Sequence, residues 1–165
     1  MQTMFPDLDL AGLRRLTHAL AAVAPDRLSI GLIGTLGAGK TTFVQSLADG
    51  LGIDPADVTS PTFTLHCRYA AITRSITLNH LDAYRIDDLD AWDELGIDEL
   101  HELDGQWTVI EWADRVRSSM PDETVWVNIG LSGDQHRVVR VDGPEPIVAS
   151  WRSAFERTDD SVARR

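Results

Sequence analysis

The chain has 165 residues, 43% of them hydrophobic, and a formal net charge of −11. That length and apolar share suit one domain with one core and exclude global disorder, and the negative charge argues against a generic electrostatic grip on DNA or RNA. No apolar run reaches bilayer length, no basic leader precedes an apolar stretch, and the single cysteine, Cys67, has no internal disulfide partner. A cytoplasmic protein without membrane contact fits all three, and Cys67 reads as a half-buried strand residue.

From 8 to 23 the residues Leu10, Leu13, Leu16, Leu20 and Val23 form one helical stripe, which Pro25-Asp26 breaks. An apolar run over 27–33 predicts a buried strand. A glycine-rich loop follows, then a helix over 41–51 with Phe43, Val44, Leu47 and Leu51 on one face and Gly50 and Gly52 at its end. Further strands are predicted at 62–69, 76–82, 108–112, 125–129 and 137–141. Helical pieces are predicted at 89–95, 98–103, 113–118 and 146–155. This interleaving predicts a single α/β domain over 1–157, with a mostly parallel sheet flanked by helices, and a flexible tail over 158–165. Ten acidic residues and one arginine lie between Asp82 and Asp104; such a run reads as a solvated face, with a docking surface for a basic partner as the alternative.

Gly34-Thr35-Leu36-Gly37-Ala38-Gly39-Lys40-Thr41 fits G-x-x-x-x-G-K-[ST], the phosphate loop of the P-loop NTPase fold. Its chemistry needs each part. Backbone N–H groups must point inward at phosphate oxygens, which calls for Cβ-free positions. Lys40 reaches the β- and γ-phosphates, Thr41 offers a hydroxyl to Mg²⁺, and the following helix aims its positive end at the anion. With only 12 glycines and one lysine in the chain, the pattern is expected by chance below roughly once in a thousand such sequences. Lys40 is that one lysine; the other fourteen basic residues are arginines, whose broader planar fork suits the loop poorly.

A phosphate loop needs a carboxylate near Mg²⁺ at the end of a neighbouring strand. Asp82 and Glu111 each end a predicted strand and are the candidates, either one holding the metal while the other acts through water. Ser60-Pro61-Thr62 precedes a strand; it reads as a turn cap, or as a switch loop that senses the γ-phosphate. Trp112 follows Glu111 and reads as packing or as a nucleotide contact. His80 and His101 lack partners at zinc-ligand spacing and read as structural.

The run 34–43 resembles the phosphate loop of the TsaE family, bacterial ATPases of tRNA threonylcarbamoyladenosine biosynthesis. The resemblance continues in order through Thr59-Ser60-Pro61-Thr62-Phe63, His80-Leu81-Asp82-Ala83-Tyr84-Arg85, Glu94-Leu95-Gly96 and Ile110-Glu111-Trp112, covering residues 27–127. It implies an ATPase that serves TsaD and TsaB partners, which carry out the transfer to tRNA while this domain touches tRNA indirectly. It implies that Lys40, Thr41 and Thr42 contact the nucleotide, and with the loop pattern the expected nucleotide site is Thr35, Gly37, Ala38, Gly39, Lys40, Thr41, Thr42 and Trp112. Thr41, Glu111 and Asp82 would hold Mg²⁺, with Lys40, Asp82 and Glu111 supporting hydrolysis and Ser60 and Thr62 forming the switch. Thr35 replaces an acid common in the family, Ala83 replaces a leucine, and the segment after Met120 matches weakly.

A GTPase needs an [NT]-K-x-D segment, impossible when the sole lysine is spent in the loop; this narrows the nucleotide to ATP. A small-molecule kinase needs basic lid residues, and 86–103 holds neither lysine nor arginine. A nucleotide-gated binding module without hydrolysis is the remaining alternative.

Overall fold

A computed structural model describes the backbone of residues 1–163 and the side chains of residues 1–158. Its strands are β1 (Gln2–Leu8), β2 (Leu28–Ile33), β3 (His66–Ala70), β4 (Thr77–Asp82), β5 (Gln106–Glu111), β6 (Val125–Leu131) and β7 (Arg137–Asp142). They form one sheet in the order β1-β7-β6-β2-β5-β4-β3. The central pairings β6-β2, β2-β5 and β5-β4 are parallel, and the outer pairings β1-β7, β7-β6 and β4-β3 are antiparallel. Only β3 and β7 therefore oppose the common strand direction. This is the α/β, mostly parallel P-loop fold that the interleaved pattern predicts.

Helices α1 (Leu10–Val23), α2 (Lys40–Gly50) and α5 (Glu145–Ala163) cover one face. The other face carries the short α3 (Leu89–Asp93), α4 (Ile97–Glu102) and a 3-10 segment, Ala113–Ser119. Strand alternation decides which residue goes where. Leu28, Ile30 and Leu32 of β2, Trp107 and Val109 of β5, Val125, Val127 and Ile129 of β6, and Val139 and Val141 of β7 join the α1/α2/α5 core. Trp151 anchors that core, fully buried, with its indole Nε1–H donating to the Leu16 carbonyl at 2.7 Å. The opposite core is small: Leu81, Ala83, Trp92, Ile97, Ile110, Ala113 and Val116.

Three local readings change. Strand β1 is not among the elements expected from the sequence. Pro6 is tolerated because β1 is an edge strand, and it sits where the register with β7 shifts between Phe5 and Leu8. The strand expected over 62–69 begins only at His66. Residues Pro61–Leu65 instead close a turn, with the Leu65 N–H donating to the Pro61 carbonyl at 2.7 Å and Leu65 at φ 62°. The last helix continues past 155 to Ala163; of the tail expected over 158–165, residues 164–165 lie outside the described residues. Among the described residues no helix is long and apolar enough to cross a membrane. Every acid of the 82–104 run except Asp82 is exposed, as expected of a solvated face, and Cys67 is half-buried.

Candidate nucleotide site

The glycine loop leaves the carboxyl end of β2, where ligands gather in open α/β sheets. Gly34 must lack a side chain, since a Cβ there would sit 2.6 Å from the Ile129 carbonyl of β6. Gly39 precedes α2 at φ 108°, a left-handed conformation that favours glycine. No side chain caps the start of α2, so the first-turn N–H groups of Lys40, Thr41 and Thr42 face the loop without a side-chain acceptor, an anion cradle by construction. Ala38 is buried, and its N–H donates to the Thr35 carbonyl at 3.1 Å; Gly37, at φ 77°, and Thr35 are exposed at the loop's crest.

Lys40 is only 5% exposed. Its ammonium donates to the carbonyls of Gly34, at 2.7 Å, and Thr35, at 3.0 Å, and lies 3.8 Å from the centre of the Trp112 ring. Burial pushes its pKa below the ordinary lysine value, while the charges of Glu111, Asp82 and Asp114 pull the other way. Trp112 reaches the lysine because its own backbone turns left-handed, φ 57°, directly after β5. A bulky residue is rarely held there.

The two acids arrive by alternation. Asp82 and Glu111 are register partners on β4 and β5. Each lies two or four residues from strand neighbours in the α1/α2/α5 core (Leu78; Val109 and Trp107), so each points to the α2 side. Glu111 Oε1 accepts a hydrogen bond from the Thr41 hydroxyl at 2.8 Å and from His80 Nε2–H at 2.8 Å. Asp82 Oδ2 accepts from Ser60 at 3.2 Å and Thr62 at 3.0 Å, and its Oδ1 accepts the Tyr84 N–H at 2.7 Å. Both acids are buried, 3% exposed.

The predicted residues thus fall into one constellation: loop, lysine, threonine, two acids, tryptophan and the Ser60/Thr62 turn. Two further members lie outside the expected set. His80, read as structural, holds Glu111; its two-residue offset from Asp82 on one strand was the available signal. Arg137, at the start of β7, donates from Nε to the Ala38 carbonyl at 2.7 Å, and no local motif marks it. His101 does lie elsewhere, at the amino end of the sheet, sharing a 2.7 Å hydrogen bond with Ser29. A cleft lined by Arg27, Ser29, Asp98 and His101 is there too, and it holds none of the phosphate-loop chemistry.

Among the described residues no three His, Cys, Asp or Glu side chains cluster as a metal cage. Mg²⁺ does not require one: it is taken by one or two protein oxygens together with phosphates and waters. A hydroxyl and a carboxylate already in contact, Thr41 and Glu111, are such a donor set, with Asp82 adjacent.

Fold and site together define a P-loop protein. The sequence profile described as "Threonylcarbamoyl adenosine biosynthesis protein TsaE" matches residues 9–139. Two relatives described as tRNA threonylcarbamoyladenosine biosynthesis protein TsaE are similar: that of Treponema pallidum is 42% identical over 67% of this chain and 78% of its own, and that of Bacillus subtilis 38% identical over 72% of each. The crystal structure of Bacillus subtilis YdiB superposes with a TM-score of 0.74 at 28% identity, over 96% of this chain and 97% of that one. The chain belongs to the TsaE family.

Proposed function

We propose that this protein is a cytoplasmic Mg²⁺-dependent ATPase that supports formation of threonylcarbamoyladenosine in tRNA. The observation that carries the reading is the contact between Thr41 and Glu111 beside the uncapped start of α2 and the buried Lys40. A lysine held against two carbonyls and a ring, its charge disfavoured by burial, is poised to exchange those partners for phosphate oxygens. The amides of Gly37–Thr42 bind the phosphates and orient the triphosphate, and Trp112 closes over its γ end. Thr41 and Glu111 hold Mg²⁺, with His80 fixing the Glu111 carboxylate; Mg²⁺, once bound, supplies neutralisation of phosphate charge. In hydrolysis, water adds to the γ-phosphorus as the bond to the β-bridging oxygen breaks, giving ADP and phosphate.

Asp82 orients that water. Because Asp82 also binds Ser60 and Thr62, a change at the γ-phosphate reaches the Ser60–Phe63 turn. Phe63 and Leu36, 83% and 82% exposed at the rim of the site, suit contact with TsaD-like and TsaB-like partners, through which tRNA is engaged indirectly. The same exposure favours a second reading, a nucleotide-gated binding module with no turnover of its own. Phosphate release from ATP and GTP, with and without the partners, separates the two. The ATPase reading expects turnover of ATP over GTP that rises when the partners are added; turnover that never rises sinks the assembly role. Asp82→Ala is expected to keep ADP affinity within about threefold and lose turnover at least about tenfold; normal turnover would remove Asp82 from the mechanism.

A further inference from the structure

Arg137 lies outside every motif that pointed to the site, yet the fold delivers it there. It opens β7, an antiparallel strand, so it stands at the same end of the sheet as the carboxyl ends of β6 and β2 and pairs with Leu131. It is two residues before Val139 and four before Val141, so it shares their face, the one that α2 covers. Its Nε–H donates to the Ala38 carbonyl at 2.7 Å and its Nη1 to the His136 carbonyl at 3.1 Å. A guanidinium carries more donors than these two bonds use. A Cβ built on Gly39 would lie 3.6 Å from Arg137 Nε and 3.9 Å from the Thr42 Cβ, so the guanidinium borders the first turn of α2.

Electrostatics makes this placement unfavourable as it stands. The start of a helix carries positive partial charge and repels a cation. Lys40 adds a full positive charge on the same turn. In a chain with 26 acids, Arg137 makes no ion pair among the described residues. Lys40 has Glu111, Asp82 and Asp114 to offset its charge, but Arg137 has no carboxylate partner of its own, and a cation beside a helix start is satisfied by a bound anion.

We propose that Arg137 contacts the nucleoside di- or triphosphate at its α-phosphate end. The inference rests on the reading of the loop as a nucleotide site and adds the direction in which the ligand lies. Asp82 and Glu111 stand on β4 and β5, to one side of β2, and define where the γ-phosphate goes. Arg137 stands on β7, beyond β6 on the other side. A triphosphate with its γ end at the acids must extend its α end toward β6 and β7, where Thr42 and Arg137 flank it. The contact is the same in ATP and ADP, so Arg137 is a binding group and not a γ-phosphate finger.

The test is calorimetric titration of the full chain with ADP and with a non-hydrolysable ATP analogue, alongside turnover at saturating ATP. Arg137→Gln keeps an N–H donor for the Ala38 carbonyl and removes the charge together with the Nη donors, one of which bonds the His136 carbonyl. It is expected to weaken both nucleotides equally, by about tenfold, with saturated turnover within about twofold, and the gap should narrow at high salt. Arg137→Lys keeps the charge and is expected within about threefold of wild type. Unchanged ADP affinity in Arg137→Gln overturns the inference while leaving the site reading intact. So does loss confined to the ATP analogue or to saturated turnover, which would place Arg137 on the γ-phosphate. Wild-type protein that binds neither nucleotide overturns the site reading and this inference with it.

Discussion

The two faces of the sheet are built differently. The face under α1, α2 and α5 buries Trp151, Phe43, Leu13, Leu16, Leu20 and Leu47 in a continuous core. The face under α3, α4 and the 3-10 segment buries a handful of side chains beneath exposed acids. The strand positions that fill the large core are the same alternating set that presents His80, Asp82 and Glu111 toward the carboxyl ends of β4 and β5 and Arg137 at the start of the antiparallel β7. A site meant to hold charged groups to within tenths of an ångström has been grown as the last row of the rigid core. The looser face contributes Trp112 and the surface.

The largest effect tests that division directly. Trp151→Ala should cost about 3–5 kcal/mol in urea unfolding, and Trp92→Ala less than about 3, because the thin opposite core collapses more easily. A reversed order would dissolve the contrast. Next, Lys40→Ala should lower ADP affinity at least about a hundredfold by titration calorimetry. It should leave the melting temperature of the nucleotide-free protein no lower, since a desolvated ammonium is lost from the rigid side. A smaller effect is expected at the join between core and site. His80→Ala should raise the Mg²⁺ concentration for half-maximal turnover by about tenfold; an unchanged Mg²⁺ dependence would make His80 mere packing.

The smallest lies at the far end of the sheet. Burial lowers the His101 pKa below its ordinary 6.5, with Asp98 opposing. Between the two values the unfolded chain binds the proton and the folded chain does not, so stability is full above pH 6.5 and declines as pH falls through that window. His101→Asn should flatten this acid-side decline in melting temperature without changing ADP affinity. A decline identical in the variant would assign it to other groups.

What could be read in advance follows from how local each signal is. The phosphate loop, β2 and α2 are contiguous and strictly patterned, and their limits shift by a residue or so. Asp82 and Glu111 were legible because each ends a strand, and strand ends in parallel sheets are ligand-facing. The split of labour between them was not, since it depends on Thr41 touching one and Ser60 and Thr62 the other across long separations. The 62–69 strand was read too long because its β-branched residues hide a turn, visible only in the left-handed Leu65. Arg137 looks like any strand arginine until β7 is known to reverse beside the loop, information that no window of sequence contains.

One consequence of Lys40 reaches past nucleotide chemistry. It is the only lysine in the chain, so any acylating metabolite, crosslinker or modifying enzyme that seeks a side-chain amine finds one, at the bottom of the phosphate cradle. Labelling of Lys40 by an amine-reactive reagent, read separately from labelling of the exposed Met1 amine, would report ligand occupancy without an engineered probe.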